Sequence, residues 1–141
     1  MQPSDFSTLF DLLPIGAYRS TVEGQQLRAN PALVRLNGYG SEEELLASVN
    51  DIAREWYVDP GRRQQFRELI TRDGQVVNFC SEVYRHKTRE RIWVKEDAHL
   101  VKDTHGRPMY YEGTVEDVTE GQRAHLALQA RERWFRALTD K

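Results

Sequence analysis

The spacing of hydrophobic positions changes along this chain, and its clearest pattern lies in the last third. Over residues 92–100 apolar and polar side chains alternate, which predicts a strand with one buried face. Turn residues follow at 103–108, where Gly106 accommodates a positive φ, and they predict a hairpin. A second strand is expected over 109–118, so the two strands form a long antiparallel pair.

The amino-terminal part combines one helix with two short strands. Residues 5–13 predict a short amphipathic helix, and its apolar stripe consists of Phe6, Leu9, Phe10 and Leu13. Residues 16–21 and 26–29 read as short strands joined at Glu23-Gly24. Another strand is expected at 76–86, where Cys80 is interpreted as a small core residue.

Three capping signals predict helices in the middle of the chain. Asn30-Pro31 and Asp59-Pro60 each place a capping side chain before a proline at the first helical position. Ser41 with Glu44 forms a capping box. The resulting order is a helix, two strands, three or four helices, three strands and a helix. It predicts an α+β fold, in which short helices cover one face of a five-stranded antiparallel sheet.

The last strand is predicted to pass directly into a helix. Thr119 offers a hydroxyl as N-cap, and Gln122 three residues later completes a capping box. We therefore divide the chain into an amphipathic helix at 1–14, a central domain at 15–118 and a linker helix at 119–141. The linker helix carries a heptad stripe of Ala124, Leu128, Arg131, Phe135 and Leu138.

The amino-acid composition is typical of an ordinary folded domain and argues against nucleic acid or a membrane as its partner. Of the 141 residues, 39% are hydrophobic and 30% are charged, with a formal net charge of -2. Such a mixed surface has neither the basic field that nucleic acid requires nor a polybasic membrane patch. No apolar run approaches the ~18 residues of a membrane span. With one cysteine in the chain, a cytoplasmic location is expected.

Several short motifs occur in an order that resembles PAS domains with their C-terminal PAC motif. The resemblance covers roughly residues 9–123 and rests on Leu12-Leu-Pro-Ile-Gly16, Asn30-Pro-Ala32, Asn37-Gly-Tyr39, Ser41-Glu-Glu-Glu-Leu45, Trp93-Val94, Asp103-Thr-His-Gly106, Gly113 and Asp117-Val-Thr119-Glu120. One position departs from the family. PAS domains usually have Asp-Gly in the hairpin before this Trp, whereas the turn here reads Lys87-Thr-Arg-Glu90.

The resemblance implies a signalling input module rather than an enzyme. Such a module senses a small ligand, or only dimerises and relays, and controls a downstream output domain in the same chain. Histidine kinases and cyclic-dinucleotide synthases or phosphodiesterases are the outputs that PAS domains most often precede. In the family, Asp117 and Thr119 lie at the junction between the sheet and the output helix.

Candidate cofactor ligands are few. The four histidines lie on different elements and no pair has metal-ligand spacing. The family's haem-binding branch places its axial His in the long central helix, here residues 60–72, which contains none. Its photoreceptor branch places a reactive Cys in the preceding helix, and none occurs there. No cofactor is therefore predicted, while a noncovalent flavin or another small ligand stays open.

Glu96 is the polar residue that merits most attention, because it falls on the apolar face of its strand. A carboxylate that lines a cavity could accept hydrogen bonds from a ligand. A strand bulge or a partner arginine is the simpler explanation, while Arg62 and Arg63 are interpreted as a solvated helix face. The residues predicted to line this ligand pocket are Glu96, Trp56, Phe66, Ile70, Phe79, Ile92 and Val94. The alternative function is a non-signalling ligand carrier or an enzyme that uses this pocket.

Self-association is predicted from the two terminal helices. A helix that projects from a domain cannot bury a heptad stripe by itself, although it could fold back onto its own sheet. The expected seam of a parallel homodimer consists of Phe6, Phe10, Leu13, Leu128, Phe135 and Leu138.

Overall fold

A computed structural model describes residues 3–49 and 51–139, except the side chains of residues 3–7 and 53. Its helices and strands are α1 (Pro3–Leu12), β1 (Gly16–Thr21), β2 (Gln26–Ala29), α2 (Pro31–Leu36), α3 (Glu42–Ser48), α4 (Ile52–Glu55), α5 (Arg62–Asp73), β3 (Gln75–Tyr84), β4 (Arg91–Lys102), β5 (Pro108–Asp117) and α6 (Thr119–Thr139). This order confirms the predicted succession of helices and strands.

The five strands form one antiparallel sheet in the order β2-β1-β5-β4-β3. Along β4 the burial alternates from Arg91 to Ala98 as the sequence pattern predicts. The buried face carries Val94 and Glu96, and helices α2 to α5 lie against it. The fold class is therefore confirmed as α+β, with helices on one face of a five-stranded sheet.

Two of the predicted caps form as expected, and one does not. Asn30 and Ser41 accept the main-chain N–H groups of Leu33 and Glu44, and so begin α2 and α3. At the third signal, α5 starts at Arg62 rather than Pro60. The Asp59 side chain accepts the N–H of Gly61 at 2.9 Å and holds a turn, which delays the helix by two residues.

The core is densest at the end of the sheet beneath α5. Phe66 is fully buried and packs edge-on against both Phe79 and Tyr111. Cys80 corrects the sequence interpretation, because it is exposed rather than in the core. A bulge between Val76 and Phe79 turns Phe79 inward, and the alternation that follows places Cys80 on the outer face.

The turn that departs from the PAS pattern nevertheless closes a hairpin. Arg89 adopts a positive φ of 63°, the conformation that glycine supplies more easily. Its guanidinium lies over the Tyr84 ring and donates to the main-chain carbonyl of Glu55. These contacts hold Arg89 in the unfavourable conformation.

The terminal helices present apolar side chains to solvent. In α6, Leu128 and Phe135 are 56% and 64% exposed, so this helix does not fold back onto the sheet. In α1 the predicted stripe needs correction: Phe10 and Leu13 are half-buried, and the guanidinium of Arg28 lies over the Phe10 ring. Leu9 and Leu12 are exposed instead. The side chain of Phe6 lies outside the described residues.

Candidate functional site

A small cavity lies between the inner face of the sheet and the helices α2 to α5. Its volume is about 30 Å³, room for about two or three waters or a compact molecule. Pockets for drug-sized ligands measure roughly 300–1,000 Å³. The lining residues are Tyr18, Gln26, Leu33, Asn37, Leu45, Val49, Ile52, Trp56, Arg63, His86, Glu96 and Val115.

Glu96 lies in the middle of β4 and points into this interior, where it is 2% exposed. One carboxylate oxygen accepts the hydroxyl of Tyr18 from β1, across the intervening strand β5. The other accepts the hydroxyl of Tyr57 at 3.3 Å. Burial raises the pKa of Glu96, while the two hydroxyls and the charge of Arg63 lower it by less. Burial, with Glu96 nearby, also raises the pKa of both tyrosines well above its usual range.

Arg63 brings a positive charge to the same cavity. It lies in the first turn of α5, at steps of three and seven residues before Phe66 and Ile70, and is 5% exposed. Its guanidinium packs over the rings of Phe66 and Tyr111 at 5.0 and 5.5 Å from their centroids. A buried cation therefore faces the buried carboxyl group of Glu96.

Three buried polar atoms of the cavity lining have no hydrogen-bond partner among the described residues. They are the indole nitrogen Nε1 of Trp56, the guanidinium nitrogen Nη2 of Arg63 and the amide oxygen Oε1 of Gln26. Two of these are donors and one is an acceptor. Groups of this kind in native interiors are bonded to protein, water or a bound molecule.

His86 closes one wall of the cavity through a chain of hydrogen bonds. Its Nδ1 lies at the hydroxyl of Tyr39, and its Nε2 lies 2.6 Å from a carboxylate oxygen of Glu55. Its main-chain N–H donates to the side chain of Asn37 at 3.2 Å. These contacts join the carboxyl end of β3 to α2 and α4.

The structure places two of the predicted pocket residues, Glu96 and Trp56, in the cavity lining. The other five are core residues outside it, which corrects that part of the prediction: Phe66, Ile70, Phe79, Ile92 and Val94. The reason is that aromatic rings packed edge-on fill the end of the interior beneath α5. The cavity remains at the other end, near α3 and α4.

Several lining residues escaped the sequence interpretation. Arg63 is the clearest correction, since it is buried rather than on a solvated helix face. Its helical spacing to Phe66 and Ile70 was a usable signal. Tyr18 faces inward by strand alternation. Tyr57 is a buried partner of Glu96 rather than a lining residue. It lies between two helices and reaches the sheet through an isolated bridge to Val83, for which the sequence carries no periodic signal.

No cluster of three or more His, Cys, Asp or Glu side chains suited to a metal ion occurs in the part of the chain that the structure describes. The cavity offers a carboxyl group, a guanidinium, an indole N–H and amide groups. Such a set favours a small polar organic ligand over a metal.

A second group of contacts joins the sheet to α6. The hydroxyl of Thr119 accepts the main-chain N–H of Trp93 on β4 at 2.9 Å, and the Trp93 carbonyl accepts the N–H of Val118 at 2.9 Å. Asp117 accepts both the N–H and the hydroxyl of Thr119, at 2.9 and 2.5 Å. The predicted capping box is therefore corrected. Thr119 is the first helical residue, and the N–H of Gln122 donates to the Val118 carbonyl instead.

Comparisons with known proteins place this geometry in a recognisable fold. The chain is similar to an RNA-binding light-oxygen-voltage receptor, with a TM-score of 0.76, 21% identity and coverage of 93% of this chain and 37% of that one. It is also similar to the PAS domain of a protein from Colwellia psychrerythraea, with a TM-score of 0.69, 16% identity and coverage of 83% and 97%. A third similar structure is a domain of a sensor histidine kinase/response regulator from Geobacter sulfurreducens. Its TM-score is 0.63 and its identity 23%, and the match covers 81% of this chain and 92% of that one.

Among curated proteins, the chain is 29% identical over 126 residues to the probable diguanylate cyclase DgcE of Escherichia coli (strain K12). The match covers 88% of this chain and 11% of that protein. No family model matches the chain. The structural likenesses confirm the predicted fold: the chain has the PAS fold.

Proposed function

We propose that this chain is a sensory and dimerisation module, which passes a ligand- or conformation-dependent signal through α6 to an output domain in the same protein. One observation carries the proposal. Strand β4 holds Glu96 in the cavity and, three residues earlier, binds the first turn of α6 through both main-chain groups of Trp93. A change at the cavity that moves β4 therefore also moves the start of α6.

The similarities support this role and bear on the output. Sensor histidine kinases recur among proteins with this fold, and the curated relative is named as a probable diguanylate cyclase. A histidine kinase or a cyclic-dinucleotide enzyme is thus the output that we propose, with the present chain itself non-catalytic. We also propose a cytoplasmic location, which suits the exposed free thiol of Cys80. Each described helix is too short or too polar to cross a bilayer.

Loss of the junction contacts should uncouple output without unfolding the domain. Asp117→Ala and Thr119→Ala each remove bonds that fix the first turn of α6, at a cost of about 0.5–1.5 kcal/mol for each hydrogen bond, which a normally stable domain tolerates. We expect both variants, in the full-length protein with its output domain, to give an output that no longer responds to stimulus. Kinase or cyclic-dinucleotide activity measures this, and circular dichroism measures folding.

Thr104→Ala is the matched control, because Thr104 is an exposed residue of the turn between β4 and β5. This variant should keep both stability and stimulus response. A normal response from Asp117→Ala and Thr119→Ala would refute the relay.

The dimer part of the proposal rests on the exposed stripe of α6. Its apolar members recur at heptad spacing, and burying each of the larger ones, Leu128, Phe135 and Leu138, contributes roughly 1.5–3 kcal/mol before the cost of association. On the amino-terminal side, Leu9 and Leu12 are exposed whereas Phe10 and Leu13 are half-buried, so we propose that Leu9 and Leu12 provide the amino-terminal part of the seam. We therefore propose a parallel homodimer in which both terminal helices pair with their copies.

Replacing an aromatic ring of this stripe with a carboxylate should dissociate the dimer. Phe135→Glu removes two buried rings per dimer, at roughly 1.5 kcal/mol or more each, and is expected to raise the dissociation constant by at least about a hundredfold. Gln129→Glu, which adds the same charge beside the stripe, should leave the constant nearly unchanged. Analytical ultracentrifugation of the chain measures both. Equal effects of the two substitutions, or a monomeric parent chain at micromolar concentration, would contradict the seam.

A further inference from the structure

The unpartnered polar atoms of the cavity define the chemistry of its ligand. Trp56 Nε1 and Arg63 Nη2 are donors that face one small space, and Arg63 brings a formal positive charge. A carboxylate complements this pair, because charge-assisted hydrogen bonds to guanidinium are the strong ones. A neutral acceptor would leave only one charged partner in the bond with Arg63 Nη2, whereas a carboxylate gives it two.

The same cavity also presents acceptors. Gln26 Oε1 is buried without a partner among the described residues, and Glu96 retains acceptor capacity beyond its two tyrosine bonds. An ammonium group complements an amide oxygen and a carboxylate. The cavity is thus complementary to one molecule that carries an anionic group at one end and a cationic hydrogen-bond donor at the other.

Size and lining restrict this molecule further. A volume of about 30 Å³ requires the two charged groups to be close together, as they are on a single carbon atom. The remaining wall is aliphatic and can cover a short apolar side chain: Leu33, Leu45, Val49, Ile52 and Val115.

We propose that the cavity binds a small α-amino acid of the size of glycine or alanine. Its carboxylate accepts hydrogen bonds from Arg63 and Trp56, and its ammonium group donates to Gln26 and Glu96. This assignment rests on the proposed sensory function and names the ligand class for that site.

Titration of the isotope-labelled chain tests the proposal directly. The chain has three tryptophans, and Trp56→Phe identifies the indole N–H resonance of Trp56. We expect L-alanine or glycine to shift this resonance in a saturable manner. Acetate, which lacks the ammonium group, and ethylamine, which lacks the carboxylate, should each bind about tenfold or more weakly, the effect of losing one charge-assisted hydrogen bond.

Variants identify the contacts. Arg63→Met keeps the aliphatic packing but removes the charge, and should weaken alanine binding by about tenfold or more. Arg67→Met changes an exposed arginine of the same helix and should leave binding unchanged. If Arg63→Met does not fold, Gln26→Leu replaces it and should weaken binding of alanine more than binding of acetate.

Several outcomes would overturn the proposal. The first is that no concentration of amino acid shifts the Trp56 resonance, as expected for a cavity filled by water. The second is that lactate, acetate and alanine bind with equal affinity. The proposal is also overturned if Arg63 or Gln26 variants that fold bind alanine with unchanged affinity. Because these measurements need no output domain, their failure is separate from failure of the relay, which the junction variants test without any ligand.

Discussion

Replacing Glu96 with leucine is expected to lower the free energy of unfolding by about 2–6 kcal/mol, since each of two buried hydroxyls that loses its acceptor costs about 1–3 kcal/mol. The hydroxyls are those of Tyr18 and Tyr57, which converge on the two carboxylate oxygens. The buried charge of Arg63 loses its compensating group as well. Glu96→Gln keeps the side-chain shape and one acceptor oxygen, so it should cost less than half as much. Urea denaturation measures both variants.

The pH dependence of stability distinguishes two contributions of Glu96. One is the hydrogen bonding of the two tyrosine hydroxyls, and the other is the titration of the carboxyl group. The pKa of Glu96 is raised by burial from its ordinary value of 4.5, so the folded state binds the proton more tightly than the unfolded chain. The contribution of this group to stability is therefore fully present below pH 4.5 and is lost as the pH rises through the folded pKa. We expect the difference in stability between the parent and Glu96→Gln to change across that interval and to be constant at higher pH.

Glu116 provides the matched control on the neighbouring strand. It is partly exposed and lies 3.6 Å from Lys95 in a surface ion pair, so Glu116→Leu should change stability by at most about 1 kcal/mol. If Glu96→Leu is as stable as the parent, or if the pH dependence persists in Glu96→Gln, the buried carboxyl group does not have the role described.

Local patterns predicted the elements and the orientation of Glu96, because both depend on neighbours in sequence. Alternation along β4 places Glu96 among inward-facing residues whatever the rest of the fold does. Caps at Asn30 and Ser41 act within three residues, and both form as predicted. The α5 start was misplaced because the turn at Asp59 competes with the helix over the same few residues.

The composition of the cavity could not be predicted in the same way. Whether an inward-facing residue borders space or packed atoms depends on which distant side chains fill each end of the interior. Phe66, Phe79 and Tyr111 come from three elements and fill one end of the interior. Phe66 and Phe79, which were predicted to line the pocket, are therefore packed core residues. The burial of Arg63 departs from the usual pattern, because a charged residue in a first helical turn is usually solvated.

The role of Thr119 illustrates the same limit at the junction. A hydroxyl at the start of a helix normally caps it, and the sequence supports that interpretation. Here the paired strand β4 brings the main chain of Trp93 within 2.9 Å of the hydroxyl, and this long-range partner replaces the local one. The consequence is structural, since a cap would fix α6 alone whereas the observed contact fixes α6 to the strand of Glu96.

Gly113→Ala should destabilise the domain by about 1–3 kcal/mol, the usual cost of forcing an extra carbon into packed structure. Gly113 lies on β5, paired with Tyr18 on one side and Ala98 on the other. A Cβ atom there would lie 2.5 Å from the main-chain oxygen of Asp97 and 2.8 Å from the Ala98 side chain. Both neighbours belong to β4, so relief requires the central strands to separate.

Separation at this point would also disturb the site, because β5 lies between Tyr18 and Glu96, whose side chains meet across it. Gly121→Ala is the matched control: no atom of the described residues lies within 4 Å of its added Cβ atom, and in α6 alanine is favoured by up to about 1 kcal/mol over glycine. Denaturation should therefore show opposite signs for the two substitutions. A parent-like stability of Gly113→Ala would mean that β4 and β5 yield without cost, and the close approach of these strands would then have no part in positioning Glu96.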